Sequence, residues 1–84
     1  MILHTLNKTS ALAKCSNLIA EDDLMLLMED GVYLALQGVD EGFALKADVE
    51  ARGIADRMPE GIRVIDYDGF VSLTAEADKV CAWF

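Results

Sequence analysis

Histidine, proline and tryptophan each occur once in the 84 residues, and cysteine only twice. With His4 as the lone imidazole and Cys15 and Cys81 far apart, no zinc-ligand spacing can be read. The two cysteines form neither a C-x-x-C redox motif nor a disulfide framework, and in a reducing compartment both are expected as thiols. No glycine-rich phosphate loop of the G-x-G-x-x-G or G-x-x-x-x-G-K-[ST] type is present, so nucleotide-dependent chemistry is not expected and no cofactor or metal is assigned. No apolar run nears the roughly 20 residues of a membrane span. Met1 leads directly into strand-like residues without the basic and apolar regions of a secretory signal, so a cytoplasmic, membrane-free location is expected. Basic residues are scarce too, 7 Lys and Arg against 15 Asp and Glu, for a formal charge of −8. Such a chain repels phosphate backbones, and direct nucleic-acid binding is not expected.

Apolar side chains are what the sequence has in excess, 54% of all residues. The length suits one domain, residues 1–84. A domain of this size buries only about 60% of its unfolded surface, so part of that apolar excess is expected to face partner subunits.

The chain is organised around Leu24 to Gln37. Leu24 to Met28 is an apolar run without alternation, as expected of a strand covered on both faces of a parallel sheet. Glu29-Asp30-Gly31 stops it: Asp30 is a candidate helix cap, and Gly31 permits close backbone approach. Val32 to Leu36 then form a helix ended by Gly38. From Asp30 to Gly42 there are barely enough residues for a parallel crossover, so this helix is expected to be short or partly unravelled. In parallel sheets the working surface lies at the carboxyl ends of the strands, which puts Glu29, Asp30 and Gly31 at that rim.

The remaining elements follow in alternation. Met1 to Leu6 is the first strand, and Thr9 or Ser10 caps a helix over Ala11 to Ala20. Phe43 to Lys46 is the third strand, and Asp48 caps a helical piece, Val49 to Arg52, closed by Gly53. Ile62 to Asp66 is the fourth strand, Tyr67-Asp68-Gly69 a second corner like the first, Phe70 to Ala77 a helix, and Val80 to Phe84 a final strand. This order gives a layered α/β fold with a largely parallel sheet.

Cys15 is the one side chain that can carry a covalent intermediate unaided: a thiolate attacks a persulfide sulfur and becomes a persulfide itself. Lys14 beside it favours the thiolate, but the helical pattern puts Cys15 on one face with Leu12 and Ile19, where cysteine serves as a small hydrophobe. Both readings stand at this point. Cys81, near Trp83 and Phe84, reads as packing, and His4 as a hydrogen-bonded strut rather than a proton carrier. Glu29-Asp30 and Tyr67-Asp68 read as caps rather than acid/base pairs, because adjacent side chains on a turn diverge.

Five blocks, in order, resemble the TusB/DsrH family: Ile2-Leu-His-Thr-Leu-Asn7, Leu27-Met-Glu-Asp-Gly-Val-Tyr33, Asp48-Val-Glu-Ala-Arg-Gly53, Val64-Ile-Asp-Tyr-Asp-Gly-Phe-Val-Ser-Leu-Thr74 and Ala82-Trp83. The resemblance implies a three-layer α/β/α domain with a small, mostly parallel sheet of four to five strands. It implies a subunit of a cytoplasmic sulfurtransferase complex, a heterohexamer shared with TusC/DsrF-like and TusD/DsrE-like chains. That complex hands persulfide sulfur to a TusE/DsrC-like acceptor, most often towards 2-thiolation of the tRNA wobble uridine. The alternatives are a DsrH-type subunit of the DsrEFH complex in sulfur oxidation, or a purely structural subunit. The main relay cysteine of such complexes sits on the TusD/DsrE subunit. DsrH-type members carry one of their own in the first helix, at the spacing that Cys15 keeps from Glu29. About ten residues usual in the family before Phe43 are missing here, so self-association is an alternative to sister-subunit binding.

Overall fold

The structure is a computed structural model that describes all residues, 1–84. Five strands form one sheet: β1 (Ile2–Leu6), β2 (Leu24–Leu27), β3 (Gly42–Leu45), β4 (Ile62–Ile65) and β5 (Lys79–Trp83). Every pairing is parallel and the order is β4-β3-β2-β1-β5. The unbroken apolar run of β2 is thereby explained: it is the middle strand. The helices are α1 (Ala11–Cys15), α2 (Lys46–Ala51) and α3 (Tyr67–Glu76), with a 3-10 helix at Glu29–Leu36 and a 3-10 turn at Ala55–Arg57. No helix is long and apolar enough to cross a membrane.

Handedness produces the layers. From β1 to β4 each strand is laid down on the same side of its predecessor, so right-handed crossovers place their connections on one face. There Leu6, Leu27, Ala44 and Ile62 of the sheet pack with Ala11, Cys15, Val32, Leu34 and Val49 in one core. The connection from β4 to β5 runs back across the whole sheet, so α3 lies on the other face. The alternate residues Leu3, Thr5, Leu26 and Leu45 are buried there. At the start of α3 a Cβ on Gly69 would lie 3.0 Å from the Ile65 Cβ, so the helix rests directly on β4.

Several boundaries differ from the sequence expectation. The first helix ends at Cys15, not at Ala20, because Ser16 and Asn17 favour turns and the Asp23 carboxylate takes the Ala20 N–H at 3.0 Å. Ser10 holds the N-cap position of α1 without a side-chain bond. The third strand begins at Gly42 and ends at Leu45; Lys46 opens α2, so Asp48 sits inside that helix. Met28, not Asp30, precedes the Glu29–Leu36 helix. Asp66 is the cap of α3, accepting the Gly69 N–H at 2.9 Å. The crossover from β2 to β3 adopts 3-10 geometry, which advances about 2.0 Å per residue against about 1.5 Å in an α-helix and so returns along the sheet with few residues.

Candidate functional site

The rim at the carboxyl end of β2 is assembled from three segments. The Met28 N–H donates to the Leu6 carbonyl at 3.0 Å, and Gly31 then passes so close to the Leu6 carbonyl that any side chain at that position would enter it. Glu29 bends the chain with φ of +49°, a left-handed conformation held by the Asp48 carboxylate, which accepts its N–H at 2.7 Å. Arg52 closes the rim: its Nε and Nη2 donate to Asp30 Oδ1 at 3.0 and 2.9 Å, and its Nη1 lies 3.6 Å from Asp48 Oδ1. Asp30 is therefore an ion-pair partner rather than a helix cap, and Glu29 and Asp30 do not converge as an acid/base pair. Arg52 had no assigned role in the sequence reading; its i,i+4 spacing from Asp48 on a helix was the available signal.

Cys15 lies at the end of α1 with no exposed surface. It packs in the core with Ala11, Leu6 and Leu27, and its Sγ sits 3.8 Å from the Leu12 carbonyl. Burial pushes the thiol above its ordinary value. Lys14 does not assist it: its Nζ donates to the Phe84 carbonyl at 3.0 Å. Cys81 is a half-buried free thiol on the edge strand β5, paired in register with His4.

His4 forms the second polar cluster. Its Nε2 is 3.0 Å from Asp23 Oδ2, and the Trp83 indole N–H donates to its Nδ1 at 3.0 Å. An indole only donates, so Nδ1 is the unprotonated nitrogen and Nε2 carries the proton towards Asp23. Asp23 also accepts the backbone N–H groups of Ile2 and Ala20, at 2.9 and 3.0 Å. The His4 hydrogen bond, followed by those backbone N–H groups, lowers the Asp23 carboxyl to about 2. With every polar atom occupied, the cluster ties β1 to β5 and to the loop before β2. His4 is thus a strut, and Asp23 and Trp83 are partners that sequence spacing did not join. The side-chain oxygen of Asn7, just beyond β1, is buried without a partner.

A cleft of about 530 Å³ opens at the opposite end of the sheet, at the amino ends of β2 and β3. Ile19, Leu24, Met25 and Val39 line it, with Glu21, Asp40 and Glu41 among its border residues. The expected working rim and the actual cavity therefore lie at opposite ends of the strands.

Residues 6–80 match the family profile described as DsrH like protein. Protein TusB of Photorhabdus laumondii subsp. laumondii is 37% identical over 78 residues, covering 81% of this chain and 82% of the relative. Protein TusB of Pectobacterium parmentieri is 34% identical over 95 aligned positions, covering 98% of this chain and all of the relative. Protein TusB of Escherichia coli O1:K1 / APEC is 35% identical with the same coverage. The 95 aligned positions exceed the 84 residues here, so these relatives carry residues that this chain lacks. The solution NMR structure of protein Tm0979 from Thermotoga maritima superposes with a TM-score of 0.69 at 23% identity, over 89% of this chain and 92% of that one, and shares the fold. With the profile matched nearly end to end and TusB relatives above 30% identity, the chain belongs to the TusB/DsrH family.

Proposed function

We propose that this chain is a packing subunit of a cytoplasmic sulfur-relay complex, contributing surface and order rather than a sulfur-carrying thiol. Its partners in this reading are TusC/DsrF-like and TusD/DsrE-like chains, with a TusE/DsrC-like acceptor served by the assembly. Delivery towards 2-thiolation of the tRNA wobble uridine is the preferred use, in keeping with the TusB relatives. The observation that carries the structural role is Cys15 itself. Persulfide transfer needs the thiolate to attack the terminal sulfur of a donor R–S–SH, forming Cys–S–SH and releasing R–S⁻. Cys15 has no exposed surface, and burial raises its thiol. It lacks both the access and the ionisation that this attack requires.

The test is transfer by the assembly reconstituted with its sister subunits. Cys15→Ser should leave the rate of sulfur delivery unchanged, and mass spectrometry after treatment with a persulfide donor should find no sulfur added at Cys15. Loss of delivery in the variant, with sulfur on Cys15 in the parent, would instead make Cys15 a carrier. Replacing the tRNA-pathway acceptor by a DsrC-type acceptor separates the two pathway assignments: faster delivery to the latter would favour sulfur oxidation.

A further inference from the structure

The cleft at the amino ends of β2 and β3 has no part in the reading above. It exists because its cover is short. Helix α1 stops at Cys15, and the crossover into β3 holds only a 3-10 helix ending at Leu36. Ile19 and Val39 reach the border of the core, while Leu24 and Met25 stay partly uncovered between them. The resulting space, about 530 Å³, falls within the range of about 300–1,000 Å³ usual for ligand sites. Its apolar wall includes Met25, whose unbranched side chain adapts to varied shapes.

The border decides the charge of the occupant. Glu21, Asp40 and Glu41 are exposed, and none of their carboxylates takes part in a hydrogen bond or ion pair. No Lys, Arg or His lines the cleft. Asp23 also borders it, but its oxygens are committed to His4, Ile2 and Ala20. A divalent cation is not the fit, because nowhere do three His, Cys, Asp or Glu side chains converge to hold one. Anionic ligands are repelled, and a second copy of this chain brings a charge of −8. We propose that the cleft docks a basic segment of another protein, with apolar side chains against Ile19, Met25 and Val39 and flanking Lys or Arg facing Asp40 and Glu41. Nothing in this depends on sulfur transfer, so either reading can fail while the other stands.

The probe is a capped Arg-Leu-Leu-Arg peptide titrated into the isotope-labelled full chain and followed by amide NMR shifts. Shifts should concentrate in residues 19–25 and 39–42. The dissociation constant should weaken about ten-fold on raising salt from about 50 to about 500 mM. A double variant, Asp40→Asn with Glu41→Gln, should lose about ten-fold in affinity with an unchanged thermal midpoint. A capped Arg-Gly-Gly-Arg peptide should bind at least about ten-fold more weakly, since it lacks the apolar anchor. Equal binding by that control would overturn the proposal, as would shifts spread over Asp68 and Glu76. Concentration-dependent shifts of residues 19–25 without peptide would assign the cleft to a second copy instead.

Discussion

At the carboxyl end of β2, the carboxylates of Asp30 and Asp48 both meet the Arg52 guanidinium, and Asp48 also holds the Glu29 N–H. At the amino ends of β2 and β3, the carboxylates of Glu21, Asp40 and Glu41 are exposed and form no ion pair. Each region is a short acidic stretch of the chain, Glu29-Asp30 at the first and Glu21-Asp-Asp23 with Asp40-Glu41 at the second. The first is tied together from within: the single Arg52 guanidinium bridges the Asp30 and Asp48 carboxylates, and the backbone is locked by the contact of Gly31 with Leu6. The second leaves its charge and its apolar wall unsatisfied. Acidity at a strand end therefore has two different uses in this domain, one cohesive and one outward-facing, and the presence of Arg52 separates them.

Four experiments probe that contrast. The largest effect belongs to Gly31→Ala. A Cβ there would enter the Leu6 carbonyl, so the rim cannot form without moving β1 against the 3-10 helix. A loss on the order of 4 kcal/mol or more in denaturant unfolding is expected, enough to unfold much of the protein. Next comes Asp48→Ala, which strips the Glu29 N–H of its acceptor and Arg52 of one partner. About 1–2 kcal/mol should be lost in the same measurement, comparable to losing a helix cap. No effect would show that the carboxyl-end cluster is not cohesive.

The third concerns Asp23, which borders the cleft yet is bound inward. Its folded-state value of about 2 lies below the ordinary carboxylate value. Its contribution to stability is therefore complete above about pH 4 and is lost as pH falls through about 2. Thermal midpoints measured across that window should decline in the parent and decline less in Asp23→Asn, which starts lower. Trp83, the only indole, reports the same event by fluorescence through its bond to His4. The smallest effect is expected from Asp40→Asn with Glu41→Gln. With no partner to lose, stability should change by less than about 0.5 kcal/mol, with any shift upward as like charges are removed. A large loss would mean that these carboxylates are cohesive after all.

Much of the architecture was legible in residue order. The β2 run, its stop at Glu29-Asp30-Gly31, the close approach at Gly31 and the short connection into β3 are local facts of period, turn chemistry and length, and the structure has each of them. The blocks that carried the family resemblance pointed the same way, and in the fold they touch in pairs: Asp48 and Arg52 meet the Glu29 corner, and Trp83 meets His4. Those contacts could not be read from spacing. His4 and Trp83 are brought together by the parallel pairing of β1 with β5, across nearly the whole chain.

What the sequence alone determined is the small acidic α/β unit with a buried middle strand, because hydrophobic period, glycine position and charge act over a few residues. Which polar groups are satisfied was settled by packing between distant segments. Cys15 is sealed, Asp23 is spent on His4, Asp30 is neutralised by Arg52, and the Asp40–Glu41 pair is left open. Burial and partnership depend on which strands and helices become neighbours, and that follows from crossover handedness and strand order rather than from any single stretch of the chain.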